Sequence, residues 1–520
     1  MSYFCRFMKK LHAKEIKKDE NGKAKQFQLF SIRRPYMRAF HTSWFCFFLA
    51  FTSWFGIQPL IPTIMKELKL SKTDVANSGI ASVAATIGLR IIVGPLCDKF
   101  GPRKIMSALL LTGSIPMALA GLIKNGTGLI VLRLFIGVLG GAFVPCQFWT
   151  SIMFNSKIVG TANALVGGWG NLGGGFTFLF MPAIFQLVKL AGADEFLAWK
   201  ISVIIPALIC CIAGVTILFT SDDCPQGPWR KRLLPERTNQ DTAVIGEEES
   251  LQSEESKNLD FEHRRQSNAW TVSTVFILFV QYGLCFGVEI ATNTVLNLYL
   301  LYKFKIEGCN ETEVEISNGV GNVVSNATQI KTFSRNDFHC SVLNQNTASL
   351  IASLFGLMNL FARALGGSLS DALFKTLKLP GRLIAHQLCL AGEGVMLIIF
   401  SQMTSIPSAI ATLTMCSVFV QASEGTTFSL VPYVNKQRVG VIAGLVGAGG
   451  NTGAIIWNTI WLQLVDINPS MWFWILGVCV ICGSTLTLFI RIENTTTWHL
   501  FKKKKKKKTA NKMTDFYGKD

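Results

Sequence analysis

The chain has 520 residues, 50% of them hydrophobic and 16% charged, with a mean hydropathy of +0.37. That is too apolar for a single soluble domain of this length, and it reads as a polytopic membrane protein. The formal charge of +18 would suit a nucleic-acid reader, but the surplus lies in the tails and short loops, so no nucleic-acid partner is expected.

Residues 1–39 form a basic tail running from Lys9 to Arg38, too long and too basic for a cleaved signal peptide, so the first apolar run reads as an uncleaved signal anchor. A spanning helix needs about twenty apolar residues, which predicts about twelve spans centred near residues 51, 86, 113, 138, 174, 208, 285, 358, 393, 418, 451 and 480. An even count puts both termini on one side. Lys99, Arg103 and Lys104, then Lys375, Lys378 and Arg382, then Lys436 and Arg438, and the tail Lys502 to Lys508 place that side in the cytoplasm. Lys66, Lys69 and Lys72 sit on the opposite side, so the rule acts as a bias and the termini decide.

The expected organisation is an all-α membrane protein: an N-terminal six-helix bundle over 40–220, a cytoplasmic linker over 221–270, a C-terminal six-helix bundle over 271–490 and a Lys-rich cytoplasmic tail over 491–520. The linker mixes acidic runs such as Glu247 to Glu249 with Arg230, Arg232, Arg264 and Arg265, which reads as a disordered tether, with Ser267 open to phosphorylation. The lysine run of the tail reads as a contact for anionic membrane lipids or as a solvated end. Within the second bundle, the loop 303–347 should lie outside. It carries the glycosylation sequons at Asn310 and Asn326, flanked by Cys309 and Cys340, which are placed to form a disulfide in an oxidising compartment. The other cysteines fall mostly in apolar runs. No metal-ligand spacing appears, no cofactor is implied, and no nucleophile, base and orienting acid occur together as an enzyme would need.

Two spans share one spelling, Arg-x-x-x-Gly-x-Leu-x-Asp, read as Arg90, Gly94, Leu96, Asp98 and again, 273 residues later, as Arg363, Gly367, Leu369, Asp371. A guanidinium in a membrane helix faces the bundle interior or a wet path, so one arginine per half predicts an anion held between the halves. A second repeat follows at an offset of 280: the glycine-rich runs 160–173 and 440–453 place Asn171 and Asn451 at equivalent points. Two motifs repeating in order imply duplicated, parallel halves with a site at their interface. The glycines lack the Lys-Ser/Thr of a phosphate loop and read as close helix packing. A buried amide needs a partner, so Asn171 and Asn451 are expected at or beside the site. Asp98 and Asp371, with Gly94 and Gly367, lie at the membrane edge and read as gating residues rather than ligands.

The segment Gly94 to Arg103 resembles the loop motif of the major facilitator superfamily. The paired glycine-rich runs, the arginines in spans two and eight, and Cys285-Phe286-Gly287-Val288-Glu289 in span seven resemble the nitrate/nitrite porter family within it, including the eukaryotic high-affinity nitrate transporters, over about residues 40–490. The resemblance implies the major facilitator fold, twelve transmembrane helices in two pseudo-symmetric bundles. It implies that Arg90 and Arg363 clamp nitrate or nitrite, and that Phe51 or Phe55, Phe148, Tyr282 and Phe286 wall the pocket. Thr86, one turn before Arg90 on the same face, is expected to reach the site.

Nitrate is a planar monovalent anion whose oxygens match a planar guanidinium fork, and aromatic faces would exclude water and bulkier acids. The empty site would hold two repelling cations, which predicts that the unloaded carrier switches poorly unless another ion compensates. Carrying an anion inward against the membrane potential costs about 2.3 kcal/mol per 100 mV, so accumulation needs a coupled ion. Proton symport fits the eukaryotic members that the chain resembles, and the buried acids Glu289, Glu393 and Glu424 are the candidate proton carriers. The expected protein is a multi-pass, plasma-membrane, alternating-access nitrate transporter, with nitrate or nitrite, protons and lipids as partners. The alternatives are a carrier of another small anion, or a nitrate-sensing receptor. Any accessory subunit is left open by the sequence.

Overall fold

The computed structural model describes residues 16–229, 254–304, 341–343, 345–465, 467–492 and 495–496. The glycosylation sequons Asn310 and Asn326, the cysteine pair Cys309 and Cys340 and the lysine run 502–508 lie outside the described residues.

Among the described residues every named element is helical. Eleven helical stretches, from Asn77–Phe100 to Pro469–Phe489, are long and apolar enough to cross a membrane. Ahead of them stands α1, Tyr36–Trp54, of 19 residues. The sequence centres this first span near residue 51, yet the helix stops at Trp54 and resumes as α2, Ile61–Leu68, after a 3-10 turn at Gln58–Leu60. Pro59 and Pro62 explain the break, since each withholds an N–H from the helical ladder.

The rest of the N-terminal half comprises α3, Lys72–Phe100; α4, Pro102–Ala118; α5, Gly126–Ile136; α6, Phe143–Met153; α7, Val159–Leu190; and α8, Glu195–Thr220. Ser71 caps α3 by accepting from the Asp74 N–H while the Asp74 carboxylate accepts from the Ser71 N–H, and the Ser71 hydroxyl and N–H hold that carboxyl below the usual carboxylate range. Gly101, at φ 87°, turns α3 sharply into α4, a conformation that a side chain would strain.

The C-terminal half comprises α9, Glu254–Lys303; α10, Gln345–Leu357; α11, Ala362–Leu377; α12, Leu379–Ser401; α13, Ile406–Val434; α14, Val439–Leu464; and α15, Pro469–Thr485. Across the halves α3 packs on α14 and α7 packs on α11 and α13, so the repeated elements meet crosswise.

The expected tether at 221–270 is shorter than its polarity suggests. Residues 254–270 continue the seventh span as one 50-residue helix. At the other end, Arg103 pairs with Asp223 at 3.1 Å and donates to Ser221 O at 2.9 Å, and Trp149 Nε1 donates to Asp222 O at 2.9 Å. The basic tail is likewise docked from residue 16 onward. Ala24 N donates to Met153 O and Asn155 N donates to Ala24 O, both at 3.0 Å, and the Phe27 ring meets Phe40 edge-on. Charge patterning misses both segments because a few buried apolar residues, Ile16, Ala24 and Trp229 among them, anchor otherwise polar stretches.

Candidate functional site

Arg90 is fully buried, and its donors are mostly spent on backbone carbonyls. Nε donates to Gly140 O at 3.2 Å and Nη1 to Gly447 O at 2.7 Å, whereas Nη2 has no partner among the described residues. The fourth span makes this possible. Its Gly-Val-Leu-Gly-Gly-Ala run relaxes into a 3-10 turn at Gly137–Ala142 between α5 and α6, which leaves carbonyls free of regular α bonding. Gly137 O takes a bond from Thr86 Oγ1 at 2.8 Å, so Thr86 braces the turn below Arg90 and its hydroxyl is committed to backbone.

Arg363, 2% exposed, is held differently. It forms an ion pair with Glu424, and Asn171, with its amide oxygen turned toward the guanidinium, accepts from Nη1 at 2.8 Å and Nη2 at 3.3 Å. Each arginine therefore crosses to the glycine-rich helix of the other half: Arg90 to α14 at Gly447, Arg363 to α7 at Asn171. Asn451 lies one turn beyond Gly447 on the same face of α14, fully buried, with neither amide atom partnered among the described residues.

Phe286 joins the two arginines. Its ring centre lies 5.3 Å from the Arg90 guanidinium and 5.9 Å from that of Arg363. Phe143 is closer still to Arg90, at 4.9 Å. Phe143, Tyr282 and Phe286 stack within 21° of parallel, and Phe428 closes the group edge-on to Phe143 and Tyr282. The result is an aromatic box with two permanent cations at its rim.

The other expected wall residues sit elsewhere. Phe148 meets Trp229 edge-on, 5.6 Å away, rather than facing an arginine. Phe51 touches Phe47, whose ring in turn meets Phe143 at 5.6 Å, so Phe51 forms the layer behind, and Phe55 packs on Phe51 and Trp54. Sequence reading passed over Phe143 and Phe428. The 280-residue offset pairs Phe148 with Phe428, but only Phe428 faces the box; the 3-10 turn before α6 shifts the helical phase and brings Phe143 round instead. Replacing Phe143 by leucine is expected to raise the KM for the transported anion roughly 3- to 30-fold, the worth of about 0.5–2 kcal/mol of cation–π attraction, while Phe148→Leu lowers the melting temperature and leaves KM near wild type. Uptake kinetics and a thermal scan of the two variants check this.

Glu289 accepts from the Asn359 amide, and Glu393 lies fully buried on α12 beside Ser423. With Glu424 they make three buried carboxyls, all in the C-terminal half.

At the end of the bundle where α1 begins, Asp98 and Asp371 each cap a helix of the opposite half. Asp98 accepts from Gly440 N at 3.1 Å and Val441 N at 3.0 Å, capping α14 of the other half. Asp371 accepts from Gly160 N at 3.1 Å and from Thr161 N and Oγ1, each at 2.7 Å, capping α7, and it pairs with Arg382 at 2.6 Å. Each carboxylate thus meets unsatisfied N–H groups and the positive end of a helix dipole. Arg382 Nη2 at 2.7 Å and the Tyr433 hydroxyl at 2.9 Å both donate to Ser156 O, and Asn163 Nδ2 donates to Phe428 O at 3.0 Å, adding contacts across the halves. Gly94 and Gly367 let the backbones cross: a methyl at Gly94 would meet Val441 Cα at 2.9 Å, and one at Gly367 would meet Ala164 Cβ at 2.5 Å.

The family model described as Major Facilitator Superfamily matches residues 43–456. High affinity nitrate transporter 2.5 of Arabidopsis thaliana is 35% identical over 467 residues, 90% of this chain and 82% of that protein. The nitrate/nitrite transporter NrtP of Nostoc punctiforme is 29% identical over 492 residues, 89% of this chain and 94% of its own. The chain belongs to the nitrate/nitrite porter family of the major facilitator superfamily. Among solved structures, the E. coli fucose:proton symporter FucP overlays with a TM-score of 0.55 at 15% identity, covering 87% of this chain and 99% of that one. The proton:xylose symporter XylE gives 0.56 at 14%, covering 88% and 97%. This porter therefore has the major facilitator fold that its sequence implied, and Arg90 and Arg363 sit where the two halves of that fold meet.

Proposed function

We propose that the chain is a secondary active transporter of nitrate, with nitrite as a second planar substrate, which works by alternating access in the plasma membrane with both termini in the cytoplasm. One observation carries the reading: Arg90 and Arg363, one from each half, converge on the shared ring of Phe286 inside an aromatic box. The names of the relatives, nitrate transporters from plants, algae and cyanobacteria, support the choice of anion.

The geometry suits a flat, singly charged anion. The Arg90 Nη2 and the Asn451 amide, unpartnered among the described residues, supply donors, and the near-parallel rings of Phe143, Tyr282 and Phe286 offer flat faces beside them. A tetrahedral phosphate would need more donors than two forks provide, and it has no flat face to lay against the rings. Because the clamp spans both halves, a bound anion draws them together, and the aspartate caps at the side where α1 begins hold one closed state. Uptake is coupled to protons through a buried carboxyl of the C-terminal half.

Expression in a host cell lacking its own nitrate uptake tests the reading. Isotopically labelled nitrate should accumulate, unlabelled nitrite should compete, and phosphate or a small carboxylate should not. Signalling without accumulation would instead assign a receptor, and competition by phosphate would assign a different anion carrier.

A further inference from the structure

The two halves of the clamp are not equivalent. Arg90 leans on neutral carbonyls, Gly140 O and Gly447 O, and keeps its charge uncompensated. Arg363 is paired with the carboxylate of Glu424, and both side chains are buried. The fourth span, residues 126–153, carries no acidic side chain that could answer to Glu424, so the carboxylate is an addition to one side of an otherwise duplicated site.

A carboxylate and a nitrate present the same face to a guanidinium: planar, singly charged, with two acceptor oxygens side by side. If both were ionised at Arg363 they would compete for one fork and repel each other. If neither were there, two bare guanidiniums would share one aromatic box. We propose that Glu424 is the built-in occupant of the Arg363 half of the clamp, and that a proton placed on its carboxylate releases Arg363 to bind nitrate. This inference rests on the nitrate reading and names the coupling group within it.

The neighbourhood singles out this acid. From α11 the cation facing it is Arg363. The seventh span, α9, contributes Tyr282, Cys285 and Glu289, and Glu289 accepts from the neutral Asn359 amide. On α12 stand His386, bonded to Thr426 at 2.9 Å, and Glu393 beside Ser423. Neither α10 nor α14 carries a titratable side chain, and α7 carries only Lys189, near its far end. Glu289 also feels the charge of Arg363, but of the buried carboxyls Glu424 alone forms an ion pair with a clamp arginine among the described residues.

The cycle balances. On the outer side a solvent proton binds Glu424, the ion pair opens, and nitrate takes the freed Arg363 donors together with those of Arg90. On the inner side nitrate leaves, the proton passes from Glu424 to that solution, and the pair re-forms. One proton accompanies one nitrate, so across Arg90, Arg363 and Glu424 the loaded and empty sites carry the same net charge. The empty carrier then returns without two bare cations facing each other.

Nitrate binding to the purified full-length chain, followed in weak buffer with a pH-indicator dye, tests this. In wild type, close to one proton should be taken up per nitrate, and the Kd should rise about tenfold per pH unit across the neutral range. Glu424→Gln should bind nitrate with no proton uptake and a pH-independent Kd; in vesicles it should exchange nitrate but fail to accumulate it on a pH gradient. Glu393→Gln should keep the nitrate-linked proton. A wild-type Kd that is constant with pH, or undiminished proton uptake in Glu424→Gln, overturns the inference while leaving nitrate transport intact. The wild-type measurement decides even if the variant does not fold. A wild type that binds no nitrate at any pH overturns the transport reading and this inference with it.

Discussion

Lysine at position 90 or 363 is expected to cut nitrate uptake roughly 10- to 100-fold at normal protein levels in the membrane. The charge survives, so folding and orientation should too, but a single ammonium cannot reproduce the fork. At position 90 the guanidinium serves Gly140 O through Nε and Gly447 O through Nη1, which leaves Nη2 for the anion. A shorter ammonium that stays on the carbonyls gives up the anion, and one that reaches the anion gives up a carbonyl. Losing one charge-assisted bond of about 1.5–3 kcal/mol sets the magnitude. At position 363 the same loss falls on Glu424 and Asn171 as well as the anion. Uptake assays with quantified membrane protein check both variants, and near-normal uptake in both would contradict the clamp. Arg363→Gln should behave differently again. Removing one partner of a buried ion pair costs about 3–5 kcal/mol, so that variant should lose protein from the membrane, and Arg363→Gln with Glu424→Gln should regain protein without regaining normal affinity for nitrate.

What could be read from the sequence followed from its rarest features. A guanidinium inside an apolar run has few tolerable surroundings, so Arg90 and Arg363 could be assigned to an interface from position alone. The repeated Arg-x-x-x-Gly-x-Leu-x-Asp spelling showed which elements correspond and put Asp98 and Asp371 at the membrane edge, but that each caps a glycine-rich helix of the opposite half is visible only in the structure. The aromatic wall was harder. With 38 phenylalanines in the chain, identity carries little information, and the turn at Gly137–Ala142 changes the helical phase between Arg133 and Phe148, so an α-helical count points to the wrong ring. Glu424 could be recognised as a buried acid, but its pairing with Arg363 joins positions 61 residues apart (363 against 424) on separate helices, and no local pattern encodes it. The docked stretch 16–35 and residues 221–229 look like polar tails because a handful of contacts, such as Asp223 on Arg103, decides their fate.

Valine at Gly94 or Gly367 is expected to leave a folded carrier that cannot close the end where α1 begins. With the two caps in place Gly94 lies against the backbone of Gly440 and Val441, and Gly367 against Gly160 and Ala164. Backbone cannot rotate out of the way as a side chain can, so the clash falls on the helix crossing itself. Overpacking of this kind costs about 1–3 kcal/mol where neighbours can yield, and more where they cannot. The Asp98 and Asp371 caps depend on the same approach and would be lost with it. In the opposite state the two surfaces are apart and the valine is accommodated, so stability should change far less than the closure equilibrium. Uptake should fall tenfold or more, with alanine giving a smaller drop. A cysteine introduced at Ser370, fully buried with the caps in place, gives the direct readout. Its labelling by a thiol reagent from the α1 end, followed by mass spectrometry of that peptide, should be slow in the otherwise native chain and fast when combined with Gly367→Val. Slow labelling and full uptake in the valine variants would mean that these glycine crossings do not form the gate.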